Sequence, residues 1–430
     1  MLKKLDLKGV GPAPEMNLEF GSRLNFLTGD NGLGKSFILD TAWWVLTRTW
    51  ARGIKAVPGE QTVKPTIGFS YSKTTAGDVT DSSTFLRRTQ TWPIKQGRPT
   101  IPGIVIYAGV DGSFSVWDPA RNYWKNDDEA GRDRPKSFDF TPEQVWKGLV
   151  GPNGVTHCVG LIRDWVLWQR GQQAAFDDLV KVLEVLSPCE AERLIPGEPT
   201  QIGDDVEEVP SLQMPYGQEV PLPLASAGMR RICALAYLLV WTWREHAKAS
   251  KRYEVKPARE IIFLIDEIEC HLHPQWQRRI VPALLRVMSE LTQNEKIPVQ
   301  VLAATHSPLV LASVEPLYET TKDRILDFDL VEKQVEVRNL SFSRKGDVNR
   351  WLSSDIFNLR EPRSIEAERA LTDANILLRD LNNAIHDKKL TRADRDAIKR
   401  VDKALSESLS DVDRFWVRWS SFRDSVLEKQ

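Results

Sequence analysis

The chain has 430 residues, of which 41% are hydrophobic and 27% charged, with 58 lysines and arginines against 59 acids. That composition fits a globular protein of two to four structural units and excludes a disordered or collagen-like chain; no run of eighteen apolar residues offers a membrane span. The net charge of −1 excludes a protein whose main task is to coat nucleic acid, so a DNA contact would need a local basic patch. The start, MLKKLDLKGV, lacks a signal-peptide core, which leads us to expect a cytoplasmic location. Cys158, Cys189, Cys233 and Cys270 show no C-x-x-C spacing, so neither a zinc site nor a disulfide framework is expected. Fifteen tryptophans are an unusual load that composition alone does not explain.

The first elements read as strands: Leu2–Leu7 and Met16–Phe20 alternate apolar and polar residues, and Leu24–Leu27 is a short apolar run. Gly29-Asp30-Asn31-Gly32-Leu33-Gly34-Lys35-Ser36 follows, a G-x-x-x-x-G-K-S pattern, and Phe37–Thr47 continues as an apolar helix. Strand, glycine loop and helix in that order form a phosphate cradle. Glycines let the backbone turn its N–H groups toward phosphate oxygens, and the helix N-terminus, beginning near Phe37, adds its dipole. Lys35 is placed to reach the β- and γ-phosphates of ATP, and the Ser36 hydroxyl to ligate Mg2+.

Residues 66–120 look β-rich. Thr66–Tyr71 and Thr84–Thr89 read as strands, and Ile104–Trp117 holds Asp111-Gly112, a hairpin-turn signal. Residues 141–188 turn helical, with Val145, Leu149, Trp165 and the amphipathic run AAFDDLVKVLEVL. The stretch 196–223 combines six prolines with the acidic run Asp204-Asp205-Val206-Glu207-Glu208, punctuated by Leu212, Met214, Val220 and Leu222, and is expected to be an ordered loop or hairpin. Leu224-Ala225-Ser226-Ala227-Gly228-Met229-Arg230-Arg231 opens a long apolar helix that Ser226 can cap, while Gly228 permits close backbone approach. Beside a P-loop, such a capped, glycine-bearing N-terminus is a second anion site able to meet phosphates held elsewhere.

Ile261–Ile265 is a continuous apolar run, as expected of a strand buried on both faces of a parallel sheet. It ends in Asp266-Glu267, at the strand tip where ligands bind in open α/β sheets. Asp266 suits the Mg2+ shell, through water, and Glu267 suits a general base that polarises the attacking water. Val299–Ala303 reads as a further strand leading into Thr305-His306-Ser307-Pro308, where His306 is placed to sense a γ-phosphate. Beyond about residue 340, Ala370, Ala374, Leu377, Leu378 and Leu381 share one helical face, and Thr391-x-x-Asp394 is a capping box ahead of Ile398, Val401, Leu405 and Leu409. Phe415-Trp416-Val417-Arg418-Trp419 with Phe422 is an aromatic cluster suited either to the chain's own core or to anchoring a partner.

Taken in order, GDNGLGKS, ASAGMRR, IIFLIDEIECHLHP and ATHSP resemble the ABC-type ATPases of the SMC/RecF/OLD group over roughly residues 1–340. The resemblance implies an α/β ABC-type P-loop head: a mixed sheet with helices, an antiparallel β-subdomain and a helical arm, here with a C-terminal helical tail. We expect a P-loop lobe with β-subdomain at 1–140, an arm and proline-rich loop at 141–225, a signature, Walker B and histidine lobe at 226–340, and the tail at 341–430. It also implies a head-to-tail dimer in which Ser226 and Gly228 of one subunit close on ATP held by the partner. Ala225 and Met229 depart from the group's usual leucine and polar residue. Gln90, Gln144 and Gln169 are the candidates for the glutamine that senses Mg2+ and water, and Gln144 is taken first. About 190 residues separate the P-loop from the signature, too few for a long coiled-coil arm.

The motif style is similar to compact ATPases of Septu-type, retron-associated and PARIS-type anti-phage systems. That resemblance implies an ATPase that controls a separate effector, a nuclease or toxin, since no H-N-H or toprim-like acidic set is visible in this chain. A RecF-like DNA-repair clamp is the alternative, kept by the basic pairs Arg87-Arg88, Arg230-Arg231 and Arg278-Arg279. A transporter ATPase is disfavoured by the length, the signature and the His-Leu-His-Pro continuation.

Overall fold

The structure is a computed structural model that describes residues 1–59, 64–73, 77–94, 103–123, 134–292, 297–357, 359–386 and 391–427. It divides into two units, Met1–Gly346 and Asp347–Gln430. The first opens with β1 (Leu2–Lys8), β2 (Glu15–Glu19), β3 (Leu24–Gly29) and α1 (Lys35–Thr47). Next come β4 (Thr66–Lys73), β5 (Gly77–Thr84), β6 (Ile104–Ala108), β7 (Phe114–Trp117) and β8 (Phe138–Phe140). Then α2 (Pro142–Lys147), β9 (Leu149–Val150) and β10 (Thr156–Cys158) lead to α3 (Leu161–Gly171) and α4 (Gln173–Leu186). The proline-rich stretch forms β11 (Ile195–Pro196), β12 (Thr200–Gln201), β13 (Glu208–Val209), β14 (Ser211–Gln213) and β15 (Glu219–Pro221). The unit is completed by α5 (Ala227–Arg252), β16 (Ile261–Ile265), α6 (Pro274–Gln277), α7 (Ile280–Leu291), β17 (Val299–Ala304), α8 (Pro308–Val314), β18 (Arg324–Val331) and β19 (Gln334–Asn339).

Two sheets organise this unit. The larger runs β19-β18-β3-β17-β16-β6-β7-β8, and β18, β3, β17, β16 and β6 are mutually parallel. Every residue of β16 and β17 is buried, which is why both sequences are nearly continuous apolar runs. The smaller sheet, β2-β1-β4-β5, is antiparallel. Leu5 and Leu7 of β1 share one core with Ile38, Trp43 and Trp44 of α1 and with Ile262, Leu264 and Leu302 of the larger sheet, so α1 is packed between the two. Buried Gln300 of β17 adds a polar tie, accepting from the Leu2 N–H at 2.9 Å and donating to the Leu2 carbonyl at 2.8 Å. On the opposite side, Trp241 of α5 meets Phe138 and Phe140 of β8 edge-on, and α4 packs against α5 and α7.

Two expectations about the β-rich region need correction. Ile104–Trp117 does form a hairpin across Asp111-Gly112, but β6 pairs in parallel with β16 and so belongs to the larger sheet, not to an antiparallel subdomain. Its sequence, IVIYA, is buried at all five positions, the mark of an internal parallel strand. The strand expected at Thr84–Thr89 is instead β5, Gly77–Thr84, after which Leu86 and Thr91 form only an isolated bridge. Seven of the eight β5 residues are outside the buried class, so this edge strand lacks the apolar alternation that marks strands in sequence. The proline-rich stretch is ordered into the ribbons β11-β14-β15 and β12-β13, as expected.

The second unit contains α9 (Val348–Leu352), α10 (Ile365–His386), α11 (Arg392–Ser408) and α12 (Phe415–Leu427). Its core joins Ala370, Ala374 and Leu378 of α10, Ile398 and Leu405 of α11, and Trp419 and Phe422 of α12. Thr391 and Asp394 form the expected capping box at the start of α11. Trp419, one of the two tail tryptophans considered as a partner anchor, is fully buried in this core and donates from Nε1 to Asp402 at 2.8 Å. Trp416 is half-buried and donates to the Ser410 carbonyl at 2.9 Å.

Candidate nucleotide site

The larger sheet brings three strand ends together. At the end of β3 the glycine loop turns into α1, with Gly29, Gly32 and Gly34 at φ 109°, 80° and 94°. A Cβ on Gly29 would stand 2.0 Å from the Phe328 carbonyl oxygen, and one on Gly34 would stand 2.6 Å from the Pro12 ring, so both sites exclude a side chain on space as well as on φ. Asp30, Asn31 and Gly32 are exposed at the loop tip; Leu33 is buried and Phe37 packs against the α1 core. Lys35 is buried, and its Nζ donates to the Gly29 and Asp30 carbonyls at 2.8 and 2.7 Å. Burial lowers the lysine's pKa, against the pull of Asp266, Asp30, Glu267 and Glu269. With four carboxylates around one ammonium, the cluster carries an excess of negative charge that suits a divalent cation arriving with the phosphates.

β16 lies two strands from β3 and delivers Asp266 and Glu267 beside that loop. The Asp266 N–H donates to the Ala108 carbonyl of neighbouring β6 at 3.0 Å, which fixes the turn at the strand end. Burial raises the Asp266 pKa, opposed by a hydrogen bond from the Ser36 hydroxyl; Glu267 raises it further, and Arg52 and Lys35 lower it. The Ser36 hydroxyl and the Asp266 carboxylate therefore lie close to one another. They are hard oxygen donors of the kind that hold Mg2+ together with substrate phosphates. Among the described residues, no group of three or more His, Cys, Asp or Glu side chains is arranged to hold a metal unaided. Glu267 is half-buried and adopts φ 48°, a left-handed conformation that costs roughly 1 kcal/mol or more in a non-glycine residue.

β17, between β3 and β16, supplies Thr305 and His306. Burial lowers the His306 pKa, and Lys35 lowers it further, so the ring is neutral at pH 7 and lies within electrostatic reach of the P-loop lysine. The loop is held by Glu269, whose carboxylate accepts from the Thr305 hydroxyl at 2.7 Å and from the His306 backbone N–H at 2.5 Å. Sequence reasoning assigned Glu269 no role, although a third acid two residues beyond Glu267 was visible. It also missed Arg52 and Arg231. Arg52 bridges Asp40 of α1 and Ser113 at 3.2 Å each, with its guanidinium over the Tyr107 ring. Arg231 of α5 donates to the Val110 and Gly109 carbonyls at 2.9 and 3.3 Å. The two arginines hold the β6–β7 turn from opposite elements, next to Asp266, and neither shows a sequence signal beyond its charge.

Ser226 is exposed and caps α5, accepting from the Met229 N–H at 3.4 Å. Gly228 is buried, and a Cβ there would lie 2.8 Å from the His271 carbonyl, so its small size is used against this chain's own post-β16 segment. Gln144 is the third residue of α2, and its Oε1 accepts from the Thr141 N–H at 2.9 Å in a capping box, a local use of that side chain. Gln90 sits on an exposed turn at φ 51°, and Gln169 donates to the Gly197 carbonyl at 3.0 Å. Asp266, Lys35, Ser36, Glu267 and His306 are thus drawn into one place, while Gln90 and Gln144 bond within three residues of themselves and Gln169 bonds to Gly197.

A glycine cradle with its lysine, a paired serine and aspartate, and a histidine at the adjoining strand tip define a P-loop nucleotide-binding protein. Residues 161–312 match the family described as "AAA domain, putative AbiEii toxin, Type IV TA system", a stretch that includes Ser226, Asp266, Glu267 and His306. The chain is similar to Septu protein PtuA of Bacillus thuringiensis, 28% identical over 116 residues that cover 26% of each chain. It is also similar to Retron Vc95 probable ATPase of Vibrio cholerae serotype O1 biovar El Tor, 47% identical over 53 residues, covering 12% of this chain and 9% of that one. The matches thus span about a quarter and about a tenth of those two relatives' lengths. Among solved structures, the SMC head domain from Thermotoga maritima aligns with a TM-score of 0.38 and 16% identity over 79% of this chain and 99% of that one. An SMC head bound to the C-terminal winged-helix domain of ScpA aligns with a TM-score of 0.41 and 17% identity over 79% and 97%. Over residues 161–312 the chain thus matches an ATPase-domain family, and over shorter stretches it is similar to the Septu and retron proteins.

Proposed function

We propose that the chain binds ATP with Mg2+ and hydrolyses it in a head-to-tail dimer, and that this cycle controls a separate effector protein in an anti-phage defence system. The observation behind the chemistry is the meeting of the Ser36 hydroxyl and the Asp266 carboxylate beside Lys35, with Glu267 as the next residue. In this reading the loop N–H groups and Lys35 bind the phosphates, while Ser36 and Asp266 hold Mg2+, whose charge offsets that of the phosphates. Glu267 accepts a proton from the attacking water, and neutral His306 donates a hydrogen bond to the terminal phosphate. Ser226, exposed at the α5 N-terminus, is the group offered to the partner's nucleotide. The defence role is supported by the similarity to the Septu and retron proteins.

The test uses the whole chain. Glu267→Gln should bind ATP, lose turnover by at least about a hundredfold and shift toward a dimer in ATP on size-exclusion chromatography. Lys35→Ala should lose nucleotide binding altogether. Unchanged turnover in Glu267→Gln would remove the base from its role, and unchanged ATP affinity in Lys35→Ala would remove the P-loop from its own. Expression with the neighbouring genes should protect cells from phage only when Glu267 and Lys35 are intact.

A further inference from the structure

The segment after Glu267 reaches back to the histidine loop through one side chain. The Ile268 N–H donates to the Ala304 carbonyl at 3.1 Å, after the chain has left the β16–β17 register at the left-handed Glu267, and this brings Glu269 to Thr305. Glu269 Oε2 accepts from the Thr305 hydroxyl at 2.7 Å and Oε1 from the His306 N–H at 2.5 Å. Thr305 Oγ1 itself accepts from the Ser307 N–H at 3.1 Å, which directs its single proton to the carboxylate. Thr305 is fully buried, and its N–H donates to the Leu27 carbonyl of β3 at 3.1 Å. Ser307, the next residue but one, donates to Gln277 Oε1 at 2.7 Å and caps α8 through the Val310 N–H. The backbone on both sides of His306 is therefore pinned, and the pin at His306 itself is Glu269.

Two donors converge on Glu269, and a carboxylate is the side chain that presents an acceptor to each. A glutamine of the same shape keeps one acceptor and turns an NH2 toward the other donor, so Glu269→Gln is not a silent change at this position. We propose that Glu269 is the positioning residue for His306. It ties the histidine loop to the tip of the strand that bears Asp266 and Glu267, so the group facing the terminal phosphate and the base for the attacking water hold a fixed separation. This rests on the proposed ATPase reading of Glu267 and His306, and it adds a residue that acts only through His306.

Six chains decide it: wild type, His306→Ala, Glu269→Gln, the double variant of these two, Thr305→Ser and Thr305→Val, each titrated with ADP and with a non-hydrolysable ATP analogue and assayed for ATP turnover. His306→Ala should lose the preference for triphosphate over diphosphate and lower kcat. Glu269→Gln should lose the same preference by roughly tenfold, the scale of one charge-assisted hydrogen bond, with ADP affinity within twofold of wild type. The double variant should be no worse than the poorer single variant. Thr305→Ser, which keeps the hydroxyl, should behave as wild type, while Thr305→Val should resemble Glu269→Gln. Glu269→Gln with wild-type preference and turnover, or with a loss that adds to that of His306→Ala, would overturn the proposal while leaving the ATPase reading in place. An equal loss of ADP and triphosphate binding in Glu269→Gln would overturn it as well, since that is a scaffold effect. Wild-type behaviour in His306→Ala would instead remove the sensor itself, and this proposal with it.

Discussion

Replacing Asp164 with asparagine tests how the helix that carries Ser226 is anchored. Asp164 of α3 is 8% exposed and accepts a hydrogen bond from the Tyr237 hydroxyl of α5 at 2.7 Å, with Cys158 Sγ 2.9 Å from the same hydroxyl. Burial pushes its carboxyl from 3.8 up to about 6. The folded chain thus holds this proton more tightly than the unfolded chain does. Below pH 3.8 both states are protonated and the group is neutral in the balance; as pH rises through 4 to 6 the unfolded state ionises first and stability is lost. At about 1.4 kcal/mol per pH unit, the gap from 3.8 to about 6 sets a ceiling near 3 kcal/mol for the loss at pH 7 and above. Asparagine has no proton to lose and keeps an oxygen for Tyr237. Asp164→Asn should therefore be more stable than wild type by about 1–3 kcal/mol at pH 8, and close to it at pH 4. Urea denaturation of the two chains across that range gives the difference directly, with every other titrating group common to both. A difference that stays flat with pH, or a wild type that is the more stable chain at pH 8, would refute the argument.

Three other substitutions separate packing from chemistry. Gly228→Ala should gain up to about 1 kcal/mol of helix propensity but force the His271 carbonyl, 2.8 Å from the new Cβ, to move; ATP turnover should fall at least about tenfold while the melting temperature stays within a few degrees. Gly29→Ala meets the Phe328 carbonyl at 2.0 Å in a left-handed backbone and should abolish nucleotide binding in an equilibrium titration, with a lowered melting temperature. Trp419→Ala removes a fully buried ring from the second unit's core and should cost about 3–5 kcal/mol, seen as new protease cleavage confined to residues 347–430.

The candidate nucleotide site was legible in the sequence wherever local chemistry and strand pattern agree. GDNGLGKS needs no tertiary partner to be read, because its glycines and lysine serve a loop that the flanking strand and helix already define. IIFLIDE and ATHSP are legible because a strand buried on both faces is a continuous apolar run, and its tip is where the sheet presents side chains. The same rule, applied more strictly, would have moved IVIYA at 104–108 into the larger sheet, since a strand on a half-exposed antiparallel layer would have alternated. β5 was illegible because an edge strand with a single buried side chain has no pattern to show. Gln144 was attractive by its distance along the chain, but the T-x-x-Q capping box at Thr141, itself a sequence signal, accounts for that side chain. Arg52 and Arg231 were beyond reach for a different reason. Arg52 donates to the side chains of Asp40 and of Ser113, about sixty residues away, and Arg231 to turn carbonyls about 120 residues away, pairings set by the fold that leave no mark in a sequence.

The residues from Asp266 to His271 explain why the motifs must be read as one device. Asp266 lies beside Ser36 of the P-loop, Glu269 holds Thr305 and His306, and the His271 carbonyl abuts Gly228 at the α5 N-terminus. Three elements far apart in sequence thus touch a single short segment. Gly228 leaves no room for slack, so a displacement of the α5 N-terminus must be taken up by that segment. Its backbone is left-handed at Glu267 and at His271, φ 48° and 61°, conformations that persist only where the surroundings enforce them. Closure of a partner nucleotide on Ser226, if the proposed dimer forms, would therefore be transmitted to Glu267 through a segment already strained at both ends. The tight packing at Gly228 is then a requirement of the coupling as well as of the fold, and an alanine there should impair turnover more than stability.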